Sequence, residues 1–159
     1  MRQRTGRMGA VAATLAAGVA IAVGLAGPAR AGLGEGVESL ARDRAAVRGV
    51  DERLTPMAAY DLHEMPTADG GAVREYVSRS GVVFGVAWNG RTKPDLSALL
   101  GAHYADYLKA AARPHVNHKV LSIEEAGFVM VLVKMPRGFS GTAHVPTLLP
   151  DGVAAGEVR

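Results

Sequence analysis

Apolar and polar positions alternate with a period of two over much of residues 58–89, which is typical of β-strands. Segments 58–65 and 72–78 carry this pattern, segment 82–89 alternates large and small apolar residues, and the turn-forming sequences PTADGG and RSG separate the three. Gly81 in the second turn suits a left-handed backbone position. We therefore predict three antiparallel strands joined in a meander.

The third strand of this meander is apolar on both faces, which is typical of a strand inside a sheet. Strict alternation places Val83, Gly85 and Ala87 on a small face and puts Trp88 at its edge. Small residues allow another element to pack closely, and this is the favoured interpretation. The alternative is a groove, so the candidate binding surface consists of Val83, Gly85, Ala87 and Trp88.

The second half of the chain predicts a helix followed by more strands. Apolar residues recur at spacings of three and four in 95–112, which predicts the main core helix. Segments 116–123 and 128–135 predict a hairpin, 136–141 a turn, and 142–145 a short sixth strand.

The residues before the first strand add one weaker element. Residues 37–49 have the spacing of a short amphipathic helix, and 50–57 are predicted to be a linker. We therefore predict an α+β fold. It contains an antiparallel sheet of five to six strands (a three-strand meander, the long helix, then two to three strands) and a short N-terminal helix. That short helix, or a second subunit, would cover the sheet face opposite the long helix.

Residues 1–31 have the pattern of a secretory signal peptide. Three arginines precede an apolar run over 8–26, and Ala29 and Ala31 supply the small residues of a cleavage site. We expect cleavage after Ala31, which leaves residues 32–159 as a single α+β domain with flexible ends and no stable membrane anchor. A retained anchor is the alternative, because the run is nearly long enough to span a bilayer.

The charge balance argues against nucleic acid as a partner. The sequence contains 18 Lys and Arg against 15 Asp and Glu, but four of the arginines lie within residues 1–31. The remainder has 14 basic and 15 acidic side chains, a net charge of −1, so it lacks the basic surface that nucleic acids or anionic lipids require. There is no cysteine and hence no disulfide.

The histidines are candidates for a metal site. His115 and His118 form an H-x-x-H pair, and His63, His103 and His144 could supply a further ligand to zinc. Because no spacing singles out a third ligand, ordinary surface histidines are the favoured interpretation. We therefore expect no cofactor, with zinc as the alternative.

Two patterns raise the question of catalysis. The sequence GFSG lacks the second glycine of a nucleophile elbow, because position 142 is Thr. Asp61, His63 and Glu64 place carboxylates near an imidazole, which suits acid–base chemistry. A half-exposed strand face has the same pattern and is favoured. Arg74 and Glu75 are interpreted in the same way, with Arg74 expected to pair with a carboxylate on the neighbouring strand.

Several segments in a consistent order carry a family resemblance: DLHEM, VREYVSRSGVVFGVAWNG, PDLSALLG and GFSGTAHVPTLLPDGV. With the apparent signal peptide, they make the chain similar to the exported bacterial domain-of-unknown-function family 2844. The resemblance implies a Gram-negative envelope protein. It implies no activity, and it offers no catalytic residues.

The leading hypothesis is a non-enzymatic protein exported by the general secretory route to the periplasm or beyond, which binds an envelope protein or a small ligand. One alternative is a metal-binding protein or hydrolase that uses the histidine cluster. Another is a structural homodimer in which each subunit covers the other's open sheet face.

Overall fold

The computed structural model describes residues 32–36, 52–114, 119–125 and 127–159. Within these residues, seven strands form one sheet that is antiparallel throughout. Their bounds are Arg53–Pro56 (β1), Tyr60–Pro66 (β2), Ala72–Ser78 (β3), Val83–Gly90 (β4), Val120–Glu125 (β5), Phe128–Met135 (β6) and Gly138–His144 (β7). The spatial order is β1-β2-β3-β4-β7-β6-β5, so two meanders meet where β4 pairs with β7.

A helical segment connects β4 to β5 and packs on one face of the sheet. It consists of Leu96–Leu100 (α1), a 3-10 turn at Gly101–His103 and Tyr104–Ala111 (α2). Asp95 caps its start, because its Oδ1 accepts a hydrogen bond from Ser97 N at 2.9 Å. None of the helices in the described part of the chain has the length and apolarity that a membrane span requires.

The sheet has a core on each side. The side that packs against α1 and α2, here the helix face, carries the larger cluster, which includes Val86, Trp88, Leu99 and Met130. The opposite side, here the tail face, carries a smaller aromatic cluster. Its buried members are Tyr60, Tyr76, Phe84, Ala87 and Val158. The C-terminal segment, residues 145–159, supplies Val158 and packs on this second cluster.

The prediction of five to six strands is wrong, because the sheet has seven. The missing strand is β1, which was predicted to be a linker. All four of its residues are exposed, since it is an edge strand with neither face covered by described residues. It therefore shows no alternation of apolar and polar positions. The predicted N-terminal helix at 37–49 and the signal peptide at 1–31 lie outside the described residues.

The turn predicted at 136–141 is also wrong, because β7 begins at Gly138. Its glycines mark close packing within a strand. A Cβ at Gly138 would lie 2.2 Å from the carbonyl oxygen of Gly90, and one at Gly141 would lie 2.3 Å from the Trp88 ring. The left-handed position predicted for Gly81 is confirmed by its φ of 80°.

Candidate functional site

The four residues of the candidate binding surface do not share a face. Tyr76 lies opposite Gly85 but Val77 lies opposite Val83, so Phe84 is an extra residue in β4. This β-bulge interrupts the alternation. Val83 and Trp88 consequently pack on the helix face, while Gly85 and Ala87 point to the tail face with Phe84.

All four of these residues are also buried. Val83, Ala87 and Trp88 are at most 2% exposed, and Gly85 is buried as well. The C-terminal segment covers Gly85 directly, because a Cβ there would lie 2.7 Å from Cγ2 of Val158. The small residue thus allows the close approach of another element that the sequence predicted, and the irregular C-terminal segment is the element that makes it.

Two tyrosines hold the C-terminal segment in place. The Tyr76 hydroxyl donates to the Arg159 carbonyl oxygen at 2.7 Å and accepts from the Arg159 amide at 2.9 Å. The Tyr60 hydroxyl donates to Oε2 of Glu157 at 3.3 Å. Burial, with the negative charge of Glu157 beside it, raises the pKa of Tyr60. The described contacts therefore give these phenols a structural role.

Asp69 ties the β2–β3 turn to the loop that follows β4. Its Oδ1 accepts from the Thr67 hydroxyl at 2.5 Å, and its Oδ2 accepts from the Thr92 hydroxyl at 2.5 Å and the Thr92 amide at 2.9 Å. These hydrogen bonds, the one from Thr67 first, hold the pKa of Asp69 well below its usual range. Because its oxygens already accept these bonds, the carboxylate acts as a clamp between two loops.

A cavity of about 190 Å³ lies beside this clamp, and its lining includes Trp88, Val73 and Pro94. This volume is below the range of typical ligand pockets. The Trp88 Nε1 is buried and has no hydrogen-bond partner among the described residues. We assign the cavity no function, because the clamp explains its polar wall and the indole belongs to the core.

The described histidines lie in separate parts of the fold. His63 is on β2 beside Glu52, and His144 is on the tail face of β7. His103 stacks on Phe128 with ring centroids 4.9 Å apart, and burial lowers its pKa. Across the described residues, no group of three or more His, Asp and Glu could hold a metal ion. His115 and His118 lie outside them, so the zinc alternative stays a prediction.

The acidic and imidazole groups of β2 each have a different partner. Asp61 pairs with Arg79, His63 with Glu52, and Glu64 with Arg74. The predicted pairing of Arg74 with a neighbouring carboxylate is confirmed, with 2.9 Å between its Nε and Oε1 of Glu64. The three β2 side chains therefore do not converge on one reacting position.

Glu75 differs from its prediction as a solvated residue. It is fully buried on the helix face, in line with Val73 and Val77 on β3. Local pattern does not indicate this burial, because Arg74 and Glu75 together have the pattern of an exposed strand.

A second region of the tail face lies beyond the C-terminal segment. Register places side chains of β5, β6 and β7 in three rows next to the tail-face core, since Thr142 lies opposite Ala87. We call this region the open half-face. Its rows are Val120, Val133 and Ser140; Ser122, Val131 and Thr142; and Glu124, Val129 and His144.

The open half-face is a mixed apolar and hydroxyl surface. None of its nine residues is fully buried or belongs to either core cluster, and Val120 is 37% exposed. Burial lowers the pKa of His144, which is therefore neutral at neutral pH. Glu124 is the remaining ionisable group of the surface.

The sequence contained part of the information needed to find this surface. Alternation along the predicted strand 128–135 places Val129, Val131 and Val133 on one face. It did not show which strands lie beside them, because the β4–β7 pairing is not encoded in local pattern.

Comparison with known proteins supports the resemblance found in the sequence. Residues 29–158 match the model of DUF2844, a family of proteins of unknown function. Because the match covers most of the chain, the chain belongs to this family. No curated protein and no solved structure matches it.

Proposed function

We propose that this member of the DUF2844 family is an exported, non-enzymatic module that binds a protein of the cell envelope through its open half-face. The observation that carries the proposal is that the half-buried Val129, Val131 and Val133 of β6 lie outside both cores, beside the exposed Val120. The C-terminal segment covers the β2–β4 part of the tail face. The tail-face cluster that it packs against contains none of the valines of β6.

The chemistry of the surface favours a protein as the partner. Sugar-binding surfaces usually display aromatic rings, and the open half-face has none. Nucleic acids need a basic surface, whereas this one carries a carboxylate and a neutral imidazole. A surface of β-branched residues flanked by hydroxyl groups can pack against another protein and hydrogen-bond to it.

The test is in-cell cross-linking of a C-terminally tagged chain in its native host, followed by mass spectrometry. Val131→Lys places a charge at the centre of the open half-face and should abolish capture of the partner. The matched control is Leu108→Lys, which makes the same kind of change on α2, where the side chain is already 49% exposed. The control should capture the partner as the unchanged chain does.

The same preparation tests export, because the intact mass of the purified chain gives its first residue. Cleavage after Ala31 predicts a chain that begins at Gly32. Equal capture by Val131→Lys and the unchanged chain, with both variants folded, would contradict the proposed binding surface. A chain that retains residues 1–31 would contradict the proposed route of export.

A further inference from the structure

No described strand pairs with the outer edge of β5. Lys134 N donates to the Lys119 carbonyl oxygen at 2.7 Å, which makes these two residues a hydrogen-bonded pair in the β5–β6 register. Hydrogen-bonded and non-hydrogen-bonded pairs alternate in an antiparallel ladder. The backbone groups of Val120, Ser122 and Glu124 therefore point away from β6. Among the described strands, β6 alone pairs with β5.

The opposite edge of the sheet is built differently. Met57 N donates to the Tyr60 carbonyl oxygen, so the same alternation points the backbone of Leu54 and Pro56 away from β2. Pro56 has no N–H, and an edge proline is a common device against strand addition. A strand added outside β1 would therefore lack the hydrogen bond that residue 56 would donate. Each outward residue of β5, in contrast, has both a backbone donor and a backbone acceptor.

We propose that the β5 edge pairs with β5 of a second copy of this chain, antiparallel and around a two-fold axis at Ser122. In this register Ser122 lies opposite the partner's Ser122, and Val120 lies opposite the partner's Glu124. All three outward residues then form hydrogen-bonded pairs. Shifting the register by two residues in either direction would leave one of the three outward residues without a hydrogen-bonding partner.

The side chains on the helix face of β5 are complementary in this register. Leu121 lies opposite the partner's Ile123, an apolar pair, and Lys119 lies opposite the partner's Glu125, a pair of opposite charges. Glu125 already binds Arg113, so the carboxylate would sit between two cations. This self-complementarity favours a second copy over an unrelated strand as the occupant of the edge.

Pairing of this kind would join two open half-faces into one surface across six strands. The dimer does not depend on which protein binds that surface, so this inference and the proposed function can fail separately. Solution mass tests the first, and capture of an envelope protein tests the second.

The register can be tested with single cysteines, because the chain has none of its own. Hydrogen-bonded antiparallel pairs have Cα atoms about 5.5 Å apart, within the range of a disulfide. Ser122→Cys should therefore give a disulfide-linked dimer as the main species on mild oxidation. Val120→Cys should not, because its two copies would lie about 14 Å apart along the strands. Mixing Val120→Cys with Glu124→Cys should restore a linked dimer.

A second pair of variants tests the interface without forming a disulfide. Ser122→Pro removes the outward N–H and keeps the bonds to β6, so sedimentation should show loss of the dimer in a folded chain. Ser122→Ala keeps the N–H and should remain dimeric. A monomeric unchanged chain would overturn the proposal. So would a dimer in which Ser122→Cys does not cross-link, or one that survives Ser122→Pro.

Discussion

Trp88 packs directly over Gly141 in the neighbouring strand, with no space for a side chain between them. A Cβ at position 141 would lie 2.3 Å from the ring and 2.9 Å from the Val131 carbonyl oxygen. Neither neighbour can easily move, because one is a buried indole and the other is backbone. The β4–β7 contact thus depends on a glycine that the sequence alone indicated to be part of a turn.

Gly141→Ala should destabilise the fold by about 1–3 kcal/mol, the usual cost of overpacking a core. Urea unfolding monitored by Trp88 fluorescence measures it. Gly156→Ala is the matched control, since nothing lies within 4 Å of its Cβ position, and it should change stability by less than about 0.5 kcal/mol. An equal loss of stability in the two variants would show that the Trp88 ring can move to accommodate the added methyl group.

At the level of the elements, the C-terminal segment acts as the cover of the β2–β4 tail face. Val158 fills the space above Gly85 and packs among the aromatic rings. Tyr60 and Phe84 meet edge to face at 5.6 Å, with Tyr76 close to both. An irregular segment is thus part of the core although it forms no strand.

Val158→Ala should cost about 1.5–3 kcal/mol, because it removes two buried methyl groups and leaves a cavity. The same change at Val153, which is half-buried in the same segment, should cost less. The free energy of unfolding in urea distinguishes them. If both variants lose the same stability, Val158 is not the residue that secures the segment.

Local pattern was informative where a strand has a covered face. Segments 72–78 and 128–135 match β3 and β6 residue for residue, since alternation or continuous apolarity marks them. Local pattern was uninformative for β1, which has no covered face. It was also uninformative for β7, whose glycines are required by close contacts with residues distant in sequence. The bulge at Phe84 also has no local signature, so the faces of β4 were assigned incorrectly.

The candidate site was harder to predict than the strands. Whether a residue is available depends on which segment covers it, and residues 145–159 returning over β4 could not be inferred from spacing. The valines of β6 were recognisable as apolar, but their incomplete burial follows from the strand order. The candidate histidines that the structure describes lie on different elements, with His63 on β2, His103 in the 3-10 turn and His144 on β7.

Across the whole molecule, the described carboxylates and histidines with shifted pKa values all have those values lowered. Burial lowers the pKa of His103 and of His144, which lie on opposite sides of the sheet, and hydrogen bonds lower that of Asp69. Each group binds protons less readily in the folded chain than in the unfolded chain. Stability should therefore fall as the pH falls, through the histidines first and through Asp69 only in stronger acid.

Unfolding free energy should decrease between about pH 7.5 and about pH 5.5, because the unfolded histidines titrate near pH 6.5. His103→Gln combined with His144→Gln should flatten this dependence, whatever it does to stability at neutral pH. Urea titrations at both pH values measure the slope. An unchanged slope in the double variant would assign the dependence to other groups.

The strand order also sets a sequence of events in folding. Within each meander, strands adjacent in space are adjacent in the chain, so β1–β4 and β5–β7 can each form through short loops. The β4–β7 ladder joins residues about fifty positions apart, and closing that loop is the slow, non-local step. Until residues 138–144 arrive, β4 is an unpaired apolar edge, and the cover at 145–159 comes last of all. A chain that emerges N-terminus first therefore exposes the apolar β4 edge to aggregation until residues 138–159 are free to fold.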